Sequence, residues 1–197
     1  MTATTTTGTS IHTTFASPVG QLTLVADAGR LTGLYFPHHW YMPDPATFGT
    51  RSDHEFGEAK RQLAEYFAGE RDRFDLPVDA RGDEFQRRVW DLVSQIPYGQ
   101  TTTYGDLARE LSGPAPASGA APASGTAPAS GRAPASGTVL AKDVGAAVGR
   151  NPLCILVPCH RVVGKNGALT GYAGGLGRKR FLLNLEEPAE HRLARLW

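Results

Sequence analysis

The chain opens with three short runs of alternating or β-branched apolar residues. They predict three strands, over residues 11–16, 21–26 and 31–36. The segments between them are Ser-Pro-Val-Gly and Asp-Ala-Gly-Arg, in which proline and glycine supply the dihedrals of tight turns. Three strands so close in sequence predict an antiparallel meander. After a proline-containing loop over residues 37–53, the apolar spacing becomes helical from Phe56 to Phe67, and Gly69 predicts the end of that helix.

The second half of the chain carries helical spacing throughout. One apolar stripe precedes Pro97, which is expected to stop its helix, and consists of Phe85, Val89, Leu92, Val93 and Ile96. A further helix is predicted from Thr103, because a hydroxyl three residues before the carboxylate of Asp106 is typical of a capping box. It would bury Leu107, Ala108 and Leu111. Two more helices are predicted, over residues 142–150 and 176–185.

The expected fold is therefore an α/β amino-terminal domain over residues 1–80, a small antiparallel sheet plus one helix, followed by a mostly α-helical domain over residues 81–187. Residues 188–197 are interpreted as a tail. Four hexads, PAPASG, AAPASG, TAPASG and RAPASG, interrupt the second domain at residues 114–137 and predict a flexible linker. A tolerated loop expansion is the favoured interpretation, since doubling a loop costs only about 0.6 kcal/mol. A docking segment for a partner is the alternative.

Composition narrows the function classes. The 197 residues are 41% hydrophobic and 20% charged, which is ordinary for a globular protein. The net charge of +1 conceals an asymmetry: residues 1–80 hold 6 basic and 10 acidic side chains, and residues 81–197 hold 14 and 9. Such a division suggests two domains with different partners. No apolar run approaches the roughly 20 residues of a membrane span, and the threonine-rich start is not a secretory signal, so we expect a cytoplasmic protein without membrane association.

Few residues are available for metal or disulfide chemistry. The two cysteines lie close together and match neither a zinc pattern nor a disulfide framework. Adjacent His38 and His39 are interpreted as part of a surface loop, with metal ligation as the alternative. No metal is therefore expected.

The strongest chemical signal is Cys159 followed by His160. A thiol becomes a strong nucleophile when it is deprotonated, and a neighbouring imidazole can take or stabilise that proton. A carboxylate such as Glu186 would then orient the imidazole. The same pair is also typical of a buried cysteine beside an exposed histidine, and this alternative stays open here. Cys154 lies within an apolar run and is predicted to pack in the core.

A glycine-rich segment follows this pair and contains Gly164, Gly167, Gly171, Gly174 and Gly175. Such a segment either approaches a ligand closely or is a plain surface connection. Tyr172 within it could stack on, or hydrogen-bond to, a flat substrate.

The residues around Cys159 resemble the O6-alkylguanine-DNA alkyltransferases; the matching motifs are PCHRV at 158–162, Asn-Pro at 151–152 and Gly-Tyr at 171–172 before a Gly-Gly pair. Two further segments are similar to the entry of that family's helix-turn-helix and to its closing helix; they are Pro-Tyr-Gly at 97–99 with Thr103-Tyr104 and Leu107-Ala108, and LLNLE at 182–186. The resemblance covers residues 85–187 closely and the first half more loosely. It implies a helix-turn-helix in the second domain.

The resemblance implies DNA repair by direct, stoichiometric transfer of the alkyl group from O6-alkylguanine to the protein's own cysteine, a single-turnover methyltransferase. The partner would be double-stranded DNA, bound in the minor groove by a monomer, with O4-alkylthymine as a further candidate lesion. Flipping the base is required, because sulfur cannot reach an O6 substituent in line inside a stacked pair. No cofactor is needed.

The resemblance also assigns individual roles. Cys159 would attack the alkyl carbon, and His160 would draw the thiol proton through a bound water. Glu186 would orient His160, and Asn151 would brace the turn that bears the site. Tyr104 would donate toward the leaving guanine oxygen or the adjacent phosphate. The remaining contacts to guanine and DNA would come from Lys142, Arg150, Arg161, Val162, Tyr172 and Ala173.

Two features depart from the family pattern. The family usually has an arginine at the start of its recognition helix, which fills the gap left by the flipped base, whereas this chain has Lys142 followed by Asp143. Lysine lacks the planar guanidinium that stacks on bases, so slower flipping in duplex DNA is expected. The hexads also replace a turn that normally has about 3–4 residues in such a motif.

Three other functions are alternatives to alkyl transfer. A non-catalytic module that binds alkyl lesions is the main alternative, although relatives of that kind carry another residue at the acceptor position. A cysteine hydrolase would generally bring its histidine from a distant segment. A transcriptional regulator would need a second DNA-binding unit or a metal–cysteine cluster, which 197 residues do not offer.

Overall fold

A computed structural model describes residues 10–113 and 138–188 of the chain. The hexads at 114–137 and most of the expected tail at 188–197 lie outside the described residues, and so do the predictions made for them. The chain divides into two compact units. The first comprises the residues up to Ala80 together with Pro152–Leu156, and the second comprises Arg81–Asn151 together with the residues from Val157 onward.

The sheet of the first unit has four strands: β1 Ile11–Ser17, β2 Gly20–Asp27, β3 Arg30–Tyr35 and β4 Thr50–Arg51. Their order is β3-β2-β1-β4, in which the first three pair antiparallel and β4 pairs parallel to β1. The predicted meander is thus confirmed. The short β4 was missed, because two residues cannot display an alternation of apolar and polar positions.

The outer edge of β3 is covered by two other segments of the first unit. The amide of Leu31 donates to the carbonyl of Pro77 over 2.8 Å. The amide of Leu34 donates to the carbonyl of Pro152 over 2.7 Å, and Leu34 forms a parallel bridge with Leu153. Covering the edge satisfies backbone groups that would otherwise invite pairing with another chain. Cys154, in the same segment, is fully buried as predicted.

Helix α1, Gly57–Ala68, packs its apolar face into this unit and ends at Gly69, which has the left-handed dihedrals of a helix cap (φ 76°). The predicted helix and its end are confirmed.

The prediction that His39 belongs to a surface loop is wrong, because its ring is buried, 6.3 Å from the ring of Phe36 and 5.5 Å from that of Tyr35. The adjacent His38 and the preceding Pro37 make this position look like part of an exposed turn in the sequence.

The second unit contains four helices within the described residues: α2 Glu84–Ser94, α3 Tyr104–Ser112, α4 Ala141–Gly149 and α5 Leu176–Glu186. The capping box predicted at Thr103 and Asp106 is present, and α3 packs against α4. α2 ends at Ser94, three residues before Pro97. None of the helices in the described part of the chain has the length and apolar character that a bilayer-spanning segment needs.

A short parallel strand pair organises the second unit around its chemistry. β5, Thr102–Thr103, directly precedes α3, and it pairs with β6, Val162–Val163. In this register Thr103 lies opposite Val163. The pairing therefore joins the first residue of α3, Tyr104, to the segment that directly follows the PCHR motif.

Candidate functional site

Cys159 begins a single turn of 3-10 helix, Cys159–Arg161, that is buried in the second unit. Two hydrogen bonds to the carbonyl of Val157 define its approach: the amide of Cys159 donates over 2.8 Å, and Nδ2 of Asn151 donates over 2.8 Å. Asn151 is itself buried. Its amide side chain thus ties the residue before Pro152 to the stretch of chain that leads into the cysteine.

His160 is fully buried, and its Nε2 atom lies 2.8 Å from Oε1 of Glu186 at the end of α5. The alternative in which a buried cysteine lies beside an exposed histidine is therefore excluded, because His160 is buried as well. The imidazole and the carboxylate meet although 26 positions separate them in sequence, because α5 runs back across the turn that bears Cys159.

Arg161 is placed differently from its expected role. Its guanidinium donates hydrogen bonds to both oxygens of Glu186: Nε donates to Oε2 over 2.7 Å, and Nη2 donates to Oε1 over 2.9 Å. The third nitrogen, Nη1, donates to the carbonyl of Ile96 over 2.6 Å. Only 7% of the residue is exposed. This arrangement contradicts the expectation that Arg161 contacts DNA, because a bidentate buried pair leaves the guanidinium turned away from solvent.

These contacts set the charge states of the pair. Burial alone would raise the pKa of Glu186, but hydrogen bonds from His160 and Arg161 outweigh it and hold the pKa well below its usual value. Burial lowers the pKa of His160, while Glu186 opposes that effect. An ionised carboxylate only accepts hydrogen bonds, so the neutral imidazole must carry its proton on Nε2. Nδ1 then holds a free lone pair.

The Nδ1 atom of His160 is buried and has no hydrogen-bond partner among the described residues. A buried polar atom in that position calls for an explanation, since nearly all such atoms are satisfied in native proteins. Because Nε2 is committed to Glu186, Nδ1 is the only ring nitrogen that can accept a proton from elsewhere.

Tyr104 stands at the first position of α3, where the β5–β6 pair brings it to the site. Its hydroxyl lies 3.4 Å from the carbonyl oxygen of Thr170 and 3.3 Å from that of Gly171. Burial, with a contribution from the charge of Cys159, raises the pKa of Tyr104 to about 12. The phenol therefore keeps its proton at neutral pH.

Lys179 is a site residue that was not expected from the sequence. Its ammonium donates to the carbonyls of Val162 over 2.6 Å, Thr170 over 2.8 Å and Gly171 over 3.3 Å. It also lies 5.7 Å from the centre of the Tyr104 ring. Burial lowers the pKa of Lys179 to about 8, against an opposing effect of Cys159. The buried ammonium of Lys179 thus contacts β6, the glycine-rich loop and the first turn of α3.

A signal for Lys179 was present in the sequence. It shares one face of α5 with Leu182 and Glu186, at spacings of three and seven residues, and these are the three buried residues of that helix. A lysine on a buried face is rare unless its charge is satisfied. Its neighbours Arg178 and Arg180 make it look like one member of a solvated basic run.

The other expected contact residues divide into two groups. Val162, Tyr172 and Ala173 are buried within the second unit, around the segments that Lys179 ties together. Lys142 and Arg150 are exposed at the two ends of α4. The first group therefore lies inside the second unit, and the second group lies on its surface.

Comparison with known proteins matches both units. Residues 84–188 match the model of the 6-O-methylguanine DNA methyltransferase DNA binding domain, and residues 11–80 match that of the 6-O-methylguanine DNA methyltransferase ribonuclease-like domain. The methylated-DNA–protein-cysteine methyltransferase of Mycolicibacterium paratuberculosis is 43% identical over 175 residues, which cover 89% of this chain and 91% of the relative. The constitutive enzyme of that name from Bacillus subtilis is 37% identical, covering 89% and 94%.

A solved structure agrees. The crystal structure of Mycobacterium tuberculosis OGT in complex with DNA matches with a TM-score of 0.74 at 40% identity, covering 89% of this chain and 92% of that one. The chain has a two-unit fold in which Cys159 and the His160–Glu186 pair are buried in the second unit. The chain belongs to the methylated-DNA–protein-cysteine methyltransferase family.

Proposed function

We propose that this protein repairs DNA by transferring the alkyl group of O6-alkylguanine to Cys159, once per molecule. The observation that carries the assignment of residues is the buried relay in which Glu186 holds Nε2 of His160 and leaves Nδ1 free, one residue from the thiol. This is the orientation that a base needs if it is to take a proton from a neighbouring nucleophile.

The chemistry proceeds by direct displacement. The thiol proton of Cys159 passes to Nδ1 of His160, through a bridging water by the family resemblance, as the sulfur attacks the alkyl carbon. A carbon–sulfur bond forms and the bond between that carbon and O6 of guanine breaks. The departing guanine takes a proton, for which the phenol of Tyr104 is the proposed donor, since its high pKa keeps it protonated.

DNA is the partner, and its contact surface is proposed on the helix-turn-helix formed by α3 and α4. Lys142 at the amino-terminal end of α4 and Arg150 at its carboxyl-terminal end supply exposed positive charge there. The lesion must leave the base stack to reach a thiol that is only 3% exposed. The near-neutral net charge predicts a shallow salt dependence of binding.

The product is a thioether, which is a poor leaving group, so the protein is a reagent that is consumed. We further propose a small α/β domain over residues 1–80 and an acceptor domain over residues 81–187, of which Pro152–Leu156 belongs to the first unit. We expect a monomeric protein located in the cytoplasm.

The test is a repair assay on duplex DNA that contains a single O6-methylguanine. We expect guanine to appear in an amount equal to the protein added and then to stop, whereas Cys159→Ala should bind without repair. Cys154→Ala is the matched control and should repair normally, because Cys154 packs in the first unit. Lesion binding without any guanine formed by the unaltered protein would instead identify a non-catalytic lesion-binding module.

A further inference from the structure

We propose that Arg161 is a positioning residue that keeps His160 uncharged, so that Nδ1 can accept the proton of Cys159. This inference rests on the proposed function, in which His160 is the base. Arg161, the arginine of the PCHR motif, would thus act on the protonation of His160 and would not contact DNA.

The carboxylate of Glu186 accepts hydrogen bonds from three residues. Arg161 reaches both oxygens, and each oxygen also has a second donor: Nε2 of His160 lies 2.8 Å from Oε1, and the amide of Gly99 lies 3.3 Å from Oε2. Because Arg161 is always protonated, it cancels the charge of Glu186 within the cluster. The imidazole therefore donates a hydrogen bond to a carboxylate that is already neutralised.

The charged groups that face His160 are few and can be named. Among the residues that the structure describes, Glu186, from α5, is the negative group that favours an imidazolium. Arg161, in the same 3-10 turn, and Lys179, from α5, are the positive groups that oppose it. The thiol of Cys159 is the remaining titratable neighbour in the turn. Two positive charges against one negative charge favour the neutral ring, and burial acts in the same direction.

Removal of Arg161 should reverse this balance. Glu186 would remain buried with one of its charged donors gone, and an uncompensated buried carboxylate is costly. Protonation of His160 is the nearest way to restore a neutral pair. The imidazolium would then have protons on both nitrogens, and Nδ1 could no longer accept one.

The test is an NMR titration of the His160 ring in the full-length protein, with resonances identified by comparison with His160→Gln. In the unaltered protein His160 should stay neutral below the ordinary histidine pKa of about 6.5. Arg161→Met, which keeps the length of the side chain but not its charge, should raise the pKa of His160 by at least about one unit, a tenfold change in proton affinity. Arg161→Lys keeps the charge and should stay closer to the unaltered protein.

The matched control is Arg61→Met. Like Arg161, Arg61 donates two hydrogen bonds to one carboxylate, because its Nε and Nη2 both donate to Glu58. That pair is exposed in the first unit. Arg61→Met should leave the titration of His160 unchanged. The inference is overturned if His160 of the unaltered protein titrates at or above about 6.5, a result that does not depend on the folding of any variant, or if folded Arg161→Met leaves its pKa unchanged.

Alkyl transfer supplies a second readout. The acid limb of the single-turnover rate should move to higher pH in Arg161→Met, so that the loss of rate is greater at pH 6 than at pH 8. An equal loss at all pH values would indicate a merely structural role and would contradict the inference. Failure of the proposed function itself would appear differently, as the absence of methyl transfer by the unaltered protein while the NMR titration still reports on His160.

Discussion

Nε2 of His160 lies 2.8 Å from Oε1 of Glu186, and both side chains are almost completely buried. The contact fixes which end of the imidazole is available for chemistry. Because Glu186 also pairs with Arg161, three ionisable groups share one enclosed site. A cluster of this kind links the stability of the second unit to its reactivity.

Glu186→Gln should destabilise the protein strongly. The amide would leave the buried guanidinium of Arg161 without its counter-charge, and breaking a buried pair in this way costs roughly 3–5 kcal/mol of unfolding free energy. Glu58→Gln, which breaks an exposed pair with Arg61, should cost much less, because water screens that pair. Urea unfolding of both variants measures the difference. Equal effects would show that the Glu186 pair is no more important than a surface one.

Lys179 should give the folding stability a distinct dependence on alkaline pH. Its pKa is about 8 in the folded protein against about 10.5 for an unfolded lysine, so between these values the unfolded chain binds a proton that the folded chain does not. The penalty for burying the charge is present in full below pH 8 and is relieved as the pH rises toward 10.5. This contribution to the unfolding free energy therefore increases with pH.

Urea unfolding at pH 7, 8, 9 and 10 tests this prediction by comparison with Lys179→Met. The difference in unfolding free energy between the unaltered protein and the variant should change in favour of the unaltered protein as the pH rises. Taking this difference removes the contribution of the tyrosines, which titrate in both proteins. Lys165→Met changes an exposed lysine and should behave like the unaltered protein. A constant difference between the unaltered protein and Lys179→Met would mean that Lys179 titrates alike in both states.

Tyr104→Phe should slow methyl transfer without weakening DNA binding. The substitution removes the hydroxyl that lies against the carbonyls of Thr170 and Gly171 and keeps the ring beneath Lys179. If the phenol donates to the departing guanine, the single-turnover rate should fall by about a hundredfold, the scale of general acid catalysis. Stopped-flow transfer and equilibrium binding to the same duplex separate the two effects. An unchanged rate would remove Tyr104 from the chemistry.

Lys142→Arg should accelerate repair of duplex DNA severalfold. A planar guanidinium at the start of α4 can stack in the gap left by a flipped base, which an ammonium cannot do. A single-stranded oligonucleotide carrying the same lesion is the matched substrate control, since it has no partner base to be separated from. The stacking explanation fails if the duplex rate does not change, or if both substrates accelerate alike.

Most of the fold could be predicted from the sequence because the apolar periodicity is strong. The meander and α1 with its Gly69 cap follow from local spacing, and so does the capping box at Thr103. The β5–β6 pair could not be predicted, since its strands are two residues long and lie 60 positions apart. Local patterns also gave no sign that Pro152–Leu156 joins the first unit.

The reactive groups of the candidate site could be predicted from the sequence, but the burial of its positive charges could not. A thiol, an imidazole and a carboxylate are evident from Cys159, His160 and Glu186 as residue types. Arg161 and Lys179 look like surface cations in the sequence, and only the tertiary fold reveals that their charges are buried. Burial of a charged group depends on partners that are distant in the chain, which local periodicity does not record.

Intact mass followed by peptide mapping tests most directly whether Cys159 is the alkyl acceptor. The protein should be mixed with an excess of duplex DNA containing O6-methylguanine, with Cys159→Ala and Cys154→Ala in parallel. We expect a gain of one methyl group per chain, located on Cys159, in the unaltered protein and in Cys154→Ala. Methyl transfer to any other residue, or to Cys159→Ala, would contradict this expectation.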